Sequence, residues 1–198
     1  MPNRKKLILL GGGGHCKSCI DVIEQEGKYK ITGILDNEEL IDQKILAYEI
    51  IGTDAEISRL VKEEHSFLIT VGQIKTSSIR KKLFSLLNDY NAQIATVISP
   101  RAYISKHADV GRGTIIMHDA LVNASASIGE NCIINSKAIV EHDVTIESFC
   151  HISTSAVING GVLVKEGTFF GSNAASKEYV ETDNNAFIKA GTVFKGRS

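Results

Sequence analysis

Proton transfer near neutral pH falls first to histidine, and the chain has six: His15, His65, His107, His118, His142 and His151. His142 stands between two carboxylates, Glu141 and Asp143. A neutral imidazole with an ordinary pKa near 6.5 suits removal of a proton, an effect worth roughly 10²–10⁴-fold in rate. The plain alternative is a ring on a surface, and His65, His107 and His118 are expected to be surface residues. Cys16 and Cys19 form a C-x-x-C, which fits a redox pair or half a zinc site. No second pair supplies the remaining zinc ligands, so the expectation is no metal and four reduced cysteines packed as small apolar groups.

The run Gly11-Gly12-Gly13-Gly14-His15 follows an apolar segment and precedes a helical one. Such a turn offers free N–H groups at a helix N-terminus, where phosphate binds readily. As a dinucleotide fingerprint it is weak, because Cys16 stands where G-x-G-x-x-G needs its third glycine. Asp36 lies at a suitable distance for a ribose contact, which leaves NAD open as an alternative.

These residues need a frame. Leu7–Leu10, Ile31–Leu35 and Phe67–Val71 read as strands. A helix with Ile20 and Ile23 inward follows the glycine turn, and Thr53-Asp54-Ala55-Glu56 reads as a capping box. Ile79, Leu83, Leu86, Leu87 and Tyr90 mark an amphipathic helix over about 76–90. Strands alternating with helices predict a small parallel sheet over residues 1–94.

From residue 95 the period changes to six. Ile98, Ile104, Val110, Ile116, Val122, Ile128, Ile134, Val140, Ile146, Ile152, Ile158, Val164 and Phe170 recur without a gap. Four residues after each stands a small or β-branched side chain, from Ala102 through Cys132 and Cys150 to Ala174. Six is not a multiple of 3.6, so the repeat excludes a helix and predicts a parallel β-helix over 95–198. Three hexads close one coil, which stacks residues 18 apart. The run breaks at Ser176, and Ser176–Asn185 reads as a polar loop or insertion before the register resumes at Ile188 and Phe194.

Composition narrows the class. Of 198 residues, 22 are Lys or Arg and 23 are Asp or Glu, a formal net charge of −1. That gives no general attraction to nucleic acid or to an anionic membrane. No apolar run approaches the ~18 residues that cross a bilayer. The apolar part of the N-terminus is too short for a signal core, so a cytoplasmic protein is expected.

The hexad run resembles the hexapeptide-repeat acyltransferases, which implies a left-handed parallel β-helix. The whole chain adds the glycine-rich strand–turn–helix start, a second strand ending in Asp36-Asn37, and Val140-Glu141-His142-Asp143 within the hexads. Together these resemble bacterial sugar acetyltransferases: the UDP-4-amino-sugar N-acetyltransferases of the bacillosamine pathway and their sialic acid O-acetyltransferase relatives. The resemblance implies a Rossmann-like sugar-nucleotide domain at 1–94, an acetyltransferase domain at 95–198, a homotrimer, and acetyl-CoA bound between neighbouring β-helices. It implies His142 as general base with Asp143 assisting it, Glu141 being the competing partner. His151, Ser172 and Ala190 fall at cofactor positions, the last two through their main chains. Gly13, Gly14, His15, Asp36, Asn37 and Gly72 fall where the nucleotide sugar is held.

Other readings stay open. Asn159-Gly160-Gly161 stacks one coil beyond His142, as a set of oxyanion donors or as a turn that needs glycine. Lys165, Lys177, Lys189, Lys195 and Arg197 either meet coenzyme A phosphates or form a solvated face. The resemblance implies N-acetylation of a nucleotide-linked, UDP-type 4-amino sugar. The alternatives are O-acetylation of a sialic acid or related sugar, and a non-catalytic scaffold.

Overall fold

The computed structural model describes residues 4–196. Its Cα framework divides into two compact units: residues up to Gly72 with Ile79–Thr96, and Gln73–Ser78 with the chain from Val97 onward.

In the first unit, strand β1 (Lys5–Leu10) leads through the glycine turn into helix α1 (Gly14–Glu26) and strand β2 (Tyr29–Leu35). A short hairpin, β3 (Lys44–Ile45) and β4 (Tyr48–Gly52), precedes helix α2 (Ile57–Lys62), strand β5 (Ser66–Ile69), helix α3 (Ser78–Asp89) and strand β6 (Gln93–Ile94). The sheet order is β3-β4-β2-β1-β5-β6, all parallel except the β3–β4 hairpin. Leu7 to Leu10 are wholly buried, as a central parallel strand requires. The order reverses at β1, and ligands of open α/β sheets bind at such a switch point, beyond the carboxyl ends of the strands.

Three local expectations need correction. The helical face of α3 is turned: Arg80, Leu83, Phe84 and Leu87 are buried, while Ile79 is 57% exposed and Tyr90 42%. The capping box is half formed. Thr53 accepts from the Ala55 N–H, but Glu56 pairs with Arg59, and a 3₁₀ turn precedes α2. His65 is buried and bonds the Leu60 carbonyl through Nδ1, so it is not a surface residue.

The second unit is a parallel β-helix of two-residue strands with three faces, six rungs on two of them and four on the third. Every rung pairs with the residue 18 positions on, as in Val122 with Val140 and Ile134 with Ile152. The hexad residues from Ile116 to Phe170 form one buried column, with Ala120, Ala126, Cys132, Ala138, Cys150, Ala156 and Ala174 filling the corners.

A third register comes with the turns. From Gly113 to Gly191 one residue per hexad has positive φ, among them Asp119, Asn131, Asp143, Phe149, Ser155, Gly161, Gly167, Asn173, Tyr179 and Asn185. Gly, Asn and Asp dominate because they tolerate the left-handed region. Residues 176–185 are no insertion. Phe169 pairs with Phe187 and Phe170 with Ile188, so the 18-residue step runs through the segment unbroken. Ser176 and Thr182 occupy inward positions, both buried. Their hydroxyls accept the Asn159 and Lys165 backbone N–H groups, at 2.8 Å each, which is why polar residues are tolerated there.

The three faces differ outside. One carries Tyr103, Leu121, Ile139, Val157, Ala175 and Val193, none of them buried. Another carries Asp109, Ser127, Thr145 and Leu163. Across the third runs Gln73, whose side-chain amide donates to the Phe149 and Gly167 carbonyls.

Candidate active site

His142 projects from a turn of the β-helix, exposed, immediately after the strand Ile139–Val140. Its Nδ1 lies 2.8 Å from Asp143 Oδ2. A carboxylate only accepts, so Nδ1 carries the proton and Nε2 of the neutral ring is the acceptor, the state a general base needs. The Asp143 bond, with the Asp143 and Glu141 charges behind it, raises the imidazole pKa above its ordinary value against a weaker opposing effect of burial. Asp143 reaches the ring because it occupies the left-handed turn position, φ 59°. Glu141 is drawn elsewhere, accepting from Asn123 Nδ2 at 2.9 Å.

One rung on, Gly160 leaves room for the ring. A Cβ there would lie 2.7 Å from His142 Cε1 and 2.8 Å from Nε2. As a set of oxyanion donors the Asn159-Gly160-Gly161 turn is depleted. The Gly161 N–H is given to the His142 carbonyl and the Asn159 N–H to Ser176 Oγ, so two of the three amides of the turn are engaged within the β-helix.

His151 is buried, with both ring nitrogens engaged. Nδ1 donates to the Gln73 carbonyl at 2.6 Å, and Nε2 therefore accepts from Asn135 Nδ2 at 3.1 Å. Phe169 meets the ring edge-on at 5.2 Å. In a single chain His151 thus anchors the Gln73 segment on its face. Ser172 and Ala190 stack on one corner, where Gly191 N donates to the Ser172 carbonyl and Ser172 Oγ bonds Ser153 Oγ. That corner and the His142 corner flank the same apolar face on opposite edges.

His107 is exposed, as expected. His118 is half-buried, with Nδ1 2.7 Å from Ser99 Oγ. Lys165 is paired with Glu181, while Lys177, Lys189 and Lys195 are exposed. Arg197 lies outside the described residues.

In the first unit the expected binding residues gather at the carboxyl ends of β1, β2 and β5. The Asp36 carboxylate accepts from Gly12 N at 2.5 Å and Asn37 N at 2.7 Å, tying the glycine turn to the end of β2. A Cβ on Gly13 or Gly14 would meet nothing within 4 Å, so the turn opens outward with α1 behind it. His15 and Gly72 adjoin, the His15 Cβ lying 3.4 Å from where a Gly72 Cβ would be. Sequence reasoning missed the supports. Thr70 Oγ1 donates to the Leu10 and Gly11 carbonyls, and buried Arg80 donates to those of Ile69 and Val71. An arginine on the apolar face of a helix was the available signal for the second. Cys16 is buried and its thiol is pushed up to about 11, chiefly by burial, and burial raises Cys19 as well. Neither is a reactive thiol. Among the described residues no three His, Cys, Asp or Glu side chains gather as a metal site. No helix among them is long and apolar enough to cross a membrane.

An α/β unit with a switch-point glycine turn, joined in one chain to a hexapeptide-repeat β-helix carrying an exposed histidine–carboxylate pair, defines a two-part hexapeptide-repeat architecture. Residues 6–87 match the PglD N-terminal domain family. The whole chain resembles bacillosamine-type sugar acetyltransferases. Over 115 residues it is 34% identical to UDP-N-acetylbacillosamine N-acetyltransferase of Bacillus subtilis, a match covering 57% of this chain and 51% of that protein. The matched chain thus spans about half the length of that curated relative. The acetyltransferase domain of PglB from Neisseria gonorrhoeae superposes with a TM-score of 0.90 at 27% identity, covering 98% of this chain and 92% of that one. The same domain in complex with acetyl coenzyme A gives 0.88 at 26%, covering 96% and 90%. A mutant of perosamine N-acetyltransferase from Caulobacter crescentus, in complex with CoA and GDP-perosamine, gives 0.90 at 25%, covering 99% and 90%.

Proposed function

We propose that the protein is an acetyl-CoA-dependent N-acetyltransferase acting on the amine of a nucleotide-linked amino sugar, with a UDP-linked 4-amino sugar as the preferred class. The observation that carries this reading is the His142–Asp143 pair, whose geometry leaves Nε2 as an exposed acceptor beside a glycine. Relatives named as N-acetyltransferases, one of them holding CoA and GDP-perosamine, support it.

His142 Nε2 takes the proton that the amine loses as its nitrogen attacks the thioester carbonyl. The C–N bond forms and the C–S bond breaks, and the departing thiolate takes the proton back from the His142 imidazolium, so that coenzyme A leaves as the thiol and the base is restored. Asp143 holds the ring in the Nδ1–H tautomer and stabilises the imidazolium that forms. The donor is assigned to His151 and the main chains of Ser172 and Ala190, with exposed Lys189 near its phosphates. In a single chain the His151 nitrogens are occupied, so its part is contact through the ring rather than a new hydrogen bond. The nucleotide is assigned to Gly13, Gly14, His15, Asp36, Asn37 and Gly72. The apolar face between the two corners is consistent with a homotrimer, in which a heterologous contact would set the His142 corner of one copy against the Ser172 and Ala190 corner of the next.

The test is coenzyme A release from acetyl-CoA with a panel of UDP-, GDP- and dTDP-linked 4-amino sugars, with free and CMP-activated sialic acids alongside. Release with an amino sugar, giving an alkali-stable amide, supports the reading. Release only with sialic acids, giving an alkali-labile ester, replaces it with O-acetylation. No release and no acetyl-CoA binding by folded protein leaves the scaffold reading.

A further inference from the structure

The corner that carries His142 continues through Gly160 and Gly161 to Glu178 and Tyr179. Backbone bonds join the rungs: Gly161 N donates to the His142 carbonyl and Tyr179 N to the Gly160 carbonyl, at 3.1 Å each. Tyr179 is held at φ 53°, a costly conformation for a bulky side chain, and it is 78% exposed. The same position is filled by Gly167, Asn173, Asn185 and Gly191, which suit the left-handed region, and elsewhere by Lys137 and by Phe149, which unlike Tyr179 is half-buried. A tyrosine there adds strain without filling a core.

Exposed as it is, the ring lies over the diglycine. Its Cδ1 and Cε1 come well inside contact distance of where a Gly161 Cβ would stand, and the His142 imidazole borders Gly160 in the same way. The two rings therefore flank a diglycine that has no side chains of its own.

We propose that Tyr179 is a specificity-determining residue. Its ring forms a wall of the acceptor pocket, the apolar C–H face of the pyranose stacks on it, and the amine is thereby presented to His142 Nε2. Ligand pockets combine such aromatic walls with a few placed polar groups. The inference rests on the acetyltransferase reading and names which part of the substrate this corner selects.

The experiment uses the full chain and the amino-sugar nucleotide that the wild type turns over. Y179N removes the ring and keeps a residue suited to positive φ, Y179F keeps the ring, and G161A displaces the ring by placing a Cβ under it. Y179N and G161A are expected to raise the acceptor KM roughly tenfold, with the KM for acetyl-CoA and the acidic limb of the pH profile unmoved. Y179F is expected to stay within about twofold of wild type. An unchanged acceptor KM in Y179N, an equal rise in the acetyl-CoA KM, or a Y179F as impaired as Y179N overturns the proposal. Melting curves check folding, and if Y179N is unfolded Y179G gives the same comparison. Wild-type protein that turns over no acceptor overturns the acetyltransferase reading and this inference with it. Wild-type turnover beside an unaffected Y179N overturns the inference alone.

Discussion

At the scale of single residues the account turns on one imidazole and what surrounds it. Asp143 raises the His142 pKa by favouring the protonated ring, and a base works only when deprotonated. Activity is therefore expected to rise with pH through a His142 pKa above the usual value. In Asp143→Asn that limb moves to lower pH, and kcat falls roughly tenfold because the tautomer is no longer fixed. A pH–rate profile from about pH 5 to 9 reads both effects; a limb that stays put removes Asp143 from the mechanism. Gly160→Ala is expected to lower kcat/KM by about 10–10²-fold with the melting temperature nearly unchanged, because the new Cβ pushes the ring from its place. Steady-state kinetics beside a thermal melt checks this. His142 and its two acidic neighbours were legible in the sequence, but the choice between them was not. That choice depends on the left-handed turn at Asp143 and on Asn123, one coil away, taking Glu141. The burial of His65, by contrast, came from a fold-back onto the Leu60 carbonyl that spacing does not reveal.

At the scale of elements, the six-residue period carried nearly the whole β-helix, because strand, corner and turn repeat in one short unit. It misled at Ser176, where an apolar count sees a break and the backbone has none. The hydroxyls of Ser176 and Thr182 act as backbone acceptors inside the coil. Valine at these places would restore the apolar pattern yet orphan a buried N–H. Ser176→Val and Thr182→Val are thus expected to destabilise by about 1–3 kcal/mol each, as chemical denaturation would measure. A stabilised variant would mean that the apolar column alone governs these rungs. In the first unit the strands and α1 were legible, while the β3–β4 hairpin and β6 were too short to give a period. The face of α3 was misjudged because its inward set includes Arg80, which serves the β5 end as a hydrogen-bond donor instead of packing as an apolar group.

At the scale of the molecule, one outer face of the β-helix is apolar along its length, through Leu121, Ile139, Val157, Ala175 and Val193. If Ile139, Val157 and their stack meet other copies, Val157→Glu is expected to yield monomers by light scattering and to abolish turnover while the β-helix still melts cooperatively. An active monomer would place the whole reaction within one chain. The six-residue period says nothing of assembly, and the expectation of a homotrimer came from the family resemblance alone. The measurement that bears most directly on the account compares wild type with His142→Ala for coenzyme A release, using an amino-sugar nucleotide as acceptor. Circular dichroism and acetyl-CoA binding are checked in both proteins. The account predicts turnover in wild type and a loss of roughly 10²–10⁴-fold in the variant, with fold and acetyl-CoA binding intact. Equal turnover in the two proteins would contradict it.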